Sequence, residues 1–293
     1  MLQLVEHQRA FLAGNVAAQM IQPLTNADKA ETVNFLSRRP MQTFLMSGWI
    51  NDNGIENTLN RGRFYGSRNV RGQLDGVALI GHLTLFETGT QAALAAFAGL
   101  AQSCPTSHTL VGEPNQVKQF LHYYHSELPA PRKVHRELMF EQKSKQRLED
   151  SLPGLRLATP SELELVVEVH AQMAFEENGA DPLKADPNGF RLRCARRIHQ
   201  DRVWAIIEDN QLTFKADVIT DLPGLTYLEG VYVSPEKRGK GFGARCVRQL
   251  TNTLLNRSKS VCVLVREQNS AAQICYKEAG YIMREYYETL FLQ

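Results

Sequence analysis

The stretch VYVSPEKRGKGFGARCVRQL, residues 231–250, decides how we interpret this chain. It begins with the alternation of a β-strand and ends with the periodicity of a helix. Between the two, three glycines alternate with Lys240 and Phe242, directly after the basic pair Lys237 and Arg238. The turn combines small residues with cations, which predicts that a ligand approaches it.

A strand-to-helix turn of this composition suits an anion for physical reasons. The first N–H groups of a helix have no partner within the helix, and the helix dipole adds partial positive charge there. Glycines allow positive φ and let a ligand approach the backbone closely. With Lys237, Arg238 and Lys240 beside it, the turn predicts a phosphate site. A glycine-rich turn with solvated basic side chains is the structural alternative.

Composition places the chain among globular proteins. At 293 residues, with 43% apolar and 22% charged residues, it is long enough for two domains, and no apolar run could span a bilayer. The start has no secretory signal, and the five cysteines have no CxxC spacing, which predicts reduced thiols in a cytoplasmic protein without a metal site. His122 and His125 have a spacing that a metal could use, but we interpret them as a helix surface. The net charge of +2 argues against a nucleic-acid partner.

The polar stretch EQKSKQRLEDSLPGL, residues 141–155, has the composition of a connector and predicts two domains, residues 1–145 and 146–293. The order strand, helix, strand, helix, strand is expected in both halves, which indicates an α/β class (α+β, mixed sheet) and a duplicated fold. Mixed sheets also produce such orders without duplication, and that alternative stays open. In the second half we expect helices at residues 190–199, 241–256 and 270–278.

The first half lacks the basic, glycine-rich connector. Where the second half has the quoted stretch, the first has LTLFETGTQAALAA, residues 83–96. A strand and a helix are expected in both places, so folding does not require the connector. We therefore assign it a function, and only to the second half.

Two phosphate-binding motifs were compared with the turn. The chain has no GxxxxGK[ST] sequence, which excludes a Walker loop. Gly239, Gly241 and Ala244 fit GxGxxA, and Glu267 follows the next strand, as a dinucleotide site would require. However, PEKR separates the strand from the turn, and only about fifty residues follow Ala244, too few for two mononucleotide-binding halves.

A larger set of positions resembles the GCN5-related N-acetyltransferase (GNAT) superfamily. Arg238, Gly241 and Gly243 meet its signature [RQ]-x-x-G-x-[GA], and NSAAQICY, residues 269–276, meets N-x-x-A-x-x-x-Y. The sequence AGY at residues 279–281 matches the turn that commonly follows. The resemblance covers residues 155–293, and the first half resembles a degenerate GNAT-like domain. It implies two GNAT-like domains in tandem, each a mixed, mostly antiparallel sheet flanked by helices.

This resemblance implies acetyl-CoA as cosubstrate. The backbone of Val231, Tyr232 and Val233 would pair with the pantetheine arm, and Asn269 would contact the same arm. The pyrophosphate would be held by backbone N–H groups of the turn and helix start, at Arg238, Gly239, Lys240, Gly241, Phe242, Gly243 and Ala244.

The resemblance also implies direct acyl transfer to an amine. Glu229, which we expect inside a central strand, is the candidate base, and Tyr276 is the candidate proton donor to the leaving thiolate. The alternatives are a structural ion pair for Glu229 and a core aromatic for Tyr276. A neighbouring glycine, Gly230, would suit a strand bulge, and the N–H of Val231 or Tyr232 would polarise the acyl carbonyl.

The resulting prediction is a cytoplasmic N-acetyltransferase with a catalytic C-terminal domain and an N-terminal domain that has lost the cofactor. Its partner would be a primary amine of unknown identity, with no nucleic acid and no membrane. Glu176, Glu177 and Asp181 could bind a cationic amine, or could form a solvated acidic loop. The alternative functions are a non-catalytic acyl-CoA sensor and a nicotinamide-dinucleotide-dependent oxidoreductase.

Overall fold

The computed structural model describes residues 20–124, 133–148 and 151–292. The chain divides into two compact units. The first consists of two segments, one up to Leu138 and one from Glu285 onward, and the second comprises Met139–Arg284. The division falls inside two strands and not inside the polar connector, and the domain boundary between residues 145 and 146 stays a prediction. His125, one of the two histidines considered for a metal, lies outside the described residues.

Both units contain helices and strands. The described α-helices are α1 (Lys29–Leu36), α2 (Pro40–Asn53), α3 (Gln91–Gln102), α4 (Pro114–Tyr124), α5 (Leu163–Asn178), α6 (Pro182–Ala185), α7 (Pro187–His199), α8 (Phe242–Leu254) and α9 (Ser270–Glu278). The described strands are β1 (Met20–Pro23), β2 (Gly62–Arg68), β3 (Leu74–Gly81), β4 (Leu83–Thr88), β5 (Thr109–Gly112), β6 (Lys133–Gln142), β7 (Arg156–Leu157), β8 (Val203–Glu208), β9 (Gln211–Asp221), β10 (Thr226–Val233), β11 (Val261–Arg266) and β12 (Ile282–Phe291).

The sheet of the first unit has the order β1-β2-β3-β4-β5-β12. Its neighbours run antiparallel apart from β4 and β5, which are parallel. Side chains alternate across β3, as they must in a strand. Ala78 and Ile80 pack in a cluster with α3 and α4, whereas Val77 and Leu79 pack in another with α1 and α2. Helices therefore cover both faces of this sheet.

The sheet of the second unit has the order β6-β11-β10-β9-β8-β7. Strands β7 to β10 pair antiparallel, and β10 pairs with β11 in parallel. Buried residues of α5 and α7 form a core cluster with β8 and β9. Helix α8 buries one face completely, which comprises Phe242, Ala244, Cys246, Val247, Leu250, Thr251 and Leu254.

The predicted class, a mixed sheet flanked by helices, is confirmed in both units. In the second unit the helices expected at residues 190–199, 241–256 and 270–278 are α7, α8 and α9, with ends that differ from the prediction by at most a few residues. The antiparallel strands β7 to β10 differ from the parallel sheet of a dinucleotide-binding fold.

The polar connector is attached to α8 through side-chain amides. Asn252 accepts a hydrogen bond from the Gln146 N–H at 2.9 Å and donates to the Gln146 carbonyl at 2.7 Å. Gln249 exchanges the same two bonds with Leu152, at 2.7 and 2.9 Å. These bonds attach the connector to α8 at Gln146 and at Leu152. Within the described residues, no helix is both long and apolar enough to cross a membrane.

Candidate active site

The glycine turn after β10 adopts the conformation for which glycine is needed. A 3-10 turn at Pro235–Lys237 follows the strand, and Gly239 and Gly241 both have φ of +70°. Other residues would be strained at this φ. A Cβ atom added at either glycine would have no heavy atom within 4 Å, so both face open space. The backbone can therefore be approached closely at these two positions.

Helix α8 begins at this turn without a side-chain cap. Its N-cap is Gly241, which has no side chain to accept a bond from the first turn. The Arg245 N–H is bonded to the Gly241 carbonyl, so the helical pattern leaves the N–H groups of Phe242, Gly243 and Ala244 without a partner in the helix. These donors and the helix dipole provide the electrostatics of an anion site.

Gly243 has a different role from the other two glycines. A Cβ atom there would lie 3.0 Å from Val233 Cγ2 and 3.3 Å from Cys275 Sγ. Its small size lets α8 pack closely on β10 and α9. The side-chain space at Gly243 is therefore filled by protein, and only its N–H is a candidate for ligand contact.

The three cations of the turn are held by nearby protein groups. Lys237 pairs with Glu208 at 2.6 Å, and Lys240 Nζ donates to the Glu236 carbonyl at 3.0 Å. Arg238 Nε donates to the Val233 carbonyl at 2.8 Å, and its guanidinium lies 5.9 Å from the Tyr232 ring centroid. The sequence indicated the charges but not these partners, and Lys237 is largely neutralised by its carboxylate.

Strand β10 stops pairing with β11 just before the turn. It pairs with β11 through Thr226–Leu228, and the described pairing with β11 ends there. On the other edge its register against β9 shifts between Glu229 and Tyr232, and Gly230 has φ of +59°. This is the strand bulge predicted at Gly230. The backbone of Val231–Val233 thus lies beyond the paired part of the β10–β11 edge.

Glu229 lies within β10, as expected, and its side chain is exposed. Among the described residues it forms no ion pair, so the structural alternative has no support there. Glu177, near the end of α5, is one of its electrostatic neighbours. Loss of hydration raises the pKa of Glu177, and the Glu229 carboxylate raises it further, while Arg266 opposes the shift.

Tyr276 is buried in an aromatic cluster. Its ring lies 6.3 Å from Phe140 and 5.5 Å from Tyr281, measured between centroids. Burial raises the pKa of Tyr276 well above its usual value, so the phenol is protonated at neutral pH. Its hydroxyl makes no hydrogen bond to a described residue. Tyr276 therefore has the aromatic packing expected of a core residue, and its hydroxyl is also available as a proton donor.

Asn269 has a local role that the motif did not reveal. It is the N-cap of α9, and its side-chain oxygen accepts a hydrogen bond from the Ala272 N–H at 3.0 Å. This bond explains the three-residue spacing of Asn269 and Ala272, since a cap bonds to the third residue of its helix. The side-chain amide nitrogen of Asn269 has no described partner and is the part that could contact a ligand.

Similarity to known proteins is clearest in the fold. Residues 207–291 match the family described as FR47-like protein. A solved GNAT-family acetyltransferase from Colwellia psychrerythraea is 14% identical, with 94% of this chain and 100% of that chain covered and a TM-score of 0.56. The chain has the fold of the GNAT superfamily.

Two further solved structures are similar to this chain in fold. A tandem GNAT protein from the clavulanic acid biosynthesis pathway is 12% identical, with 92% of this chain and 98% of that chain covered and a TM-score of 0.57. A Drosophila protein is also 12% identical, with coverage of 94% and 99% and a TM-score of 0.64. No curated protein matches the sequence significantly.

The two units differ at the corresponding strand-to-helix junction. In the first unit, Thr90 caps α3 and its hydroxyl accepts a bond from the Ala93 N–H at 3.3 Å. Gly89, at the same junction, does not have a positive φ. The first unit therefore has a side-chain cap where the second has open glycines and uncapped donors.

A buried charged group near the bulge was missed by the sequence analysis. Lys215 and Asp217 on β9 form an ion pair of 2.7 Å, and Arg197 and His170 lie within 3.0 and 3.4 Å of the same aspartate. The available signal was FKADV, residues 214–218, in which two charges lie two residues apart in an otherwise apolar strand. Such residues share one face of a sheet.

Proposed function

We propose that this protein is an acetyl-CoA-dependent N-acetyltransferase that transfers the acetyl group directly to a primary amine. One observation carries the proposal. Strand β10 stops pairing with β11, and the chain then passes through two glycines of positive φ to a helix N-terminus that has no side-chain cap. An exposed strand edge suits the amide-containing pantetheine arm, and the uncapped N–H groups suit its pyrophosphate.

The cofactor would lie along β10 and end at α8. The backbone of Val231, Tyr232 and Val233 would pair with pantetheine, and N–H groups from Arg238 to Ala244 would hold the pyrophosphate. In the unbound chain Arg238 bonds to the Val233 carbonyl. Cofactor binding would exchange this bond, so that the carbonyl accepts from pantetheine and the guanidinium turns toward phosphate. Asn269 would contact the arm through its amide nitrogen.

The reaction would need no covalent enzyme intermediate. The amine nitrogen attacks the thioester carbonyl carbon, a C–N bond forms, and the C–S bond breaks. The N–H of Val231 or Tyr232 would stabilise the oxyanion that forms on the way. One proton leaves the amine and one reaches the departing thiolate, so the products are the amide and free CoA.

Glu229 and Tyr276 would carry these two protons. Glu229 reaches solvent at the bulge, where it would take the amine proton directly or through a water molecule. Tyr276 would give its proton to the thiolate, since its raised pKa keeps it protonated at neutral pH. Glu177 interacts electrostatically with Glu229, and two neighbouring carboxylates favour a cationic acceptor.

The first unit would not bind acetyl-CoA. Its β4–α3 junction has a threonine cap, no glycine of positive φ, and no basic residue in the connecting sequence ETGT. These differences favour a role for the first unit in supporting the fold.

Calorimetric titration with acetyl-CoA tests the proposal, with NADH and NADPH as controls. We expect about one acetyl-CoA per chain and no nicotinamide cofactor. Failure to bind acetyl-CoA, or binding of a nicotinamide cofactor in its place, would overturn the proposal.

Turnover separates an enzyme from a sensor. Release of free CoA from acetyl-CoA is followed by thiol titration with a panel of primary amines, including polyamines, amino acid amides and lysine peptides. Amine-dependent release with a matching acetylated product supports the transferase. Binding without release by any amine would favour the acyl-CoA sensor.

A further inference from the structure

Lys215 and Asp217 form a buried ion pair on β9. The Lys215 side chain is 0% exposed and that of Asp217 is 1% exposed, with 2.7 Å between Nζ and Oδ1. The second oxygen of Asp217 lies 3.0 Å from Arg197 Nη1 and 3.4 Å from His170 Nδ1. Burial alone would raise the pKa of Asp217, but Lys215 and its other two partners hold it well below the usual range.

Stability alone is a weak reason for such a pair. Removing two charges from water costs several kcal/mol for each ion, and apolar residues of similar size often stabilise a fold equally well or better. The chain nevertheless has both charges in the centre of β9, between the buried residues Phe214, Ala216 and Val218. A pair in this position calls for a specific role.

The pair flanks the bulge of β10. Asp217 is opposite Glu229 and Lys215 is opposite Tyr232, so Gly230 and Val231 together face one residue of β9. Lys215 Nζ donates a hydrogen bond of 3.2 Å to the Gly230 carbonyl. A Cβ atom at Gly230 would lie 3.2 Å from both Lys215 Nζ and Asp217 Oδ2. The ammonium and carboxylate therefore lie directly against the bulged peptide.

The bond to Gly230 also determines the direction of the next N–H group. A trans peptide is planar, and its carbonyl and N–H point to opposite sides. When Lys215 binds the Gly230 carbonyl, the Val231 N–H of the same peptide points away from Lys215. A charged donor on the carbonyl also polarises the peptide and makes that N–H a stronger donor.

We propose that Lys215, held by Asp217, is a positioning residue that orients and polarises the Gly230–Val231 peptide, so that the Val231 N–H binds the thioester carbonyl of acetyl-CoA. This inference rests on the proposed function and deepens it. Lys215 acts through the peptide and touches neither the cofactor nor the amine. Arg197 and His170 complete the partners of Asp217, which keeps the carboxylate aligned with Lys215.

Infrared difference spectroscopy with acetyl-CoA labelled with ¹³C at the thioester carbonyl tests this role without an acceptor amine. We expect binding to wild-type protein to lower the carbonyl stretching frequency. Lys215→Met should lose most of that shift while the calorimetric affinity for acetyl-CoA is unchanged. In turnover, kcat should fall on the order of tenfold, less than for a direct oxyanion donor, and KM for acetyl-CoA should not change.

Two more variants complete the design. Lys259→Met removes an exposed lysine of the same unit and should retain the wild-type shift. If Lys215→Met does not fold, the double variant Lys215→Met, Asp217→Leu replaces both fully buried charges by apolar residues, and the charge left without its partner is that of Arg197, whose side chain is 29% exposed. It should show the same lost shift.

The outcomes separate the two proposals. A folded variant without Lys215 that binds acetyl-CoA and retains the full wild-type shift overturns the positioning role and leaves the transferase intact. The absence of any frequency shift in bound wild-type protein also overturns it, since no N–H would then polarise the carbonyl. If wild-type protein does not bind acetyl-CoA, both proposals fall.

Discussion

At the scale of single residues, the site depends on side chains whose neighbours lie far away in sequence. Tyr276 packs between Phe140 and Tyr281, and burial raises its pKa well above the usual value. Ring and hydroxyl therefore have separable roles, because the ring fills the core and the hydroxyl has no described partner. A substitution that keeps the ring isolates the chemistry.

Tyr276→Phe should lower kcat by about 10²-fold, the lower range for loss of a general acid. Affinity for acetyl-CoA and the thermal midpoint should change little, since the ring remains. Steady-state kinetics, calorimetry and thermal unfolding measure the three quantities.

Tyr281→Phe is the matched control for this substitution. This substitution also removes a buried hydroxyl, which lies 2.6 Å from the Thr251 hydroxyl. We expect this variant to lose about 1 kcal/mol of stability and to keep its kcat. An unchanged rate in Tyr276→Phe would leave Tyr276 with a packing role alone.

The pKa of Glu177 should respond to the charge of Glu229. Lost hydration and the charge of Glu229 both raise the pKa of Glu177. Glu229→Gln removes one of these causes, so the pKa of Glu177 should fall, though not to its ordinary value. A ¹³C NMR titration of the Glu177 carboxyl measures it, and an unchanged pKa would contradict the proximity of the two groups.

At the scale of elements, the ends of helices decide what each can do. Helix α8 begins at a glycine and leaves its first N–H groups available. Helix α5, which carries Glu177, is fixed instead by a capping box in the preceding 3-10 turn. There Glu162 accepts from the Thr159 N–H at 2.7 Å and pairs with Arg156 at 2.6 Å.

Glu162→Gln should therefore destabilise the fold by about 1 kcal/mol at pH 7. The hydrogen bond from Arg156 lowers the pKa of Glu162 from 4.5 to about 2, although burial opposes the shift. Because the folded pKa is depressed, the contribution is complete above pH 4.5 and is lost as pH falls toward about 2.

Urea unfolding across this pH range measures the difference between the two proteins. The difference should shrink as the pH falls. The control is Glu164→Gln, which removes an exposed ion-pair partner of Arg191 from the first turn of α5 and should cost less. A difference that stays constant with pH would contradict the cap.

At the scale of the whole molecule, two units of related architecture differ in one junction. The second unit has open glycines before α8, and the first has a threonine cap before α3. One cofactor per chain is the expected consequence. The two junctions also offer a matched pair of substitutions, because Gly89 and Gly241 each precede a helix and face open space.

Gly241→Glu should weaken acetyl-CoA binding by about 100-fold or more, since it adds bulk and negative charge where phosphate is expected. Gly89→Glu in the first unit should leave affinity and stoichiometry unchanged. Gly241→Asn keeps a residue that tolerates positive φ and adds no charge, so its loss should be smaller. Calorimetric titration measures all three, and full affinity in folded Gly241→Glu would refute the anion site.

Local backbone features could be predicted from the sequence. The positive φ of Gly239 and Gly241, the bulge at Gly230 and the bounds of α9 all follow from constraints within a few residues. Hydrophobic periodicity is also local, so the order of strands and helices and the mixed class could be inferred from it. The Asn269 cap is also a local feature, although the family motif predicted only a cofactor contact for this residue.

The exposure, burial and partners of the charged side chains could not be predicted in this way. The exposure of Glu229, the return of Arg238 onto β10 and the burial of Lys215 with Asp217 depend on which surfaces the folded chain brings together. Electrostatic energies vary steeply with distance and hydration, and neither quantity exists before the chain has folded. The backbone of the site thus follows from local sequence, while the charge that acts on it follows from tertiary structure.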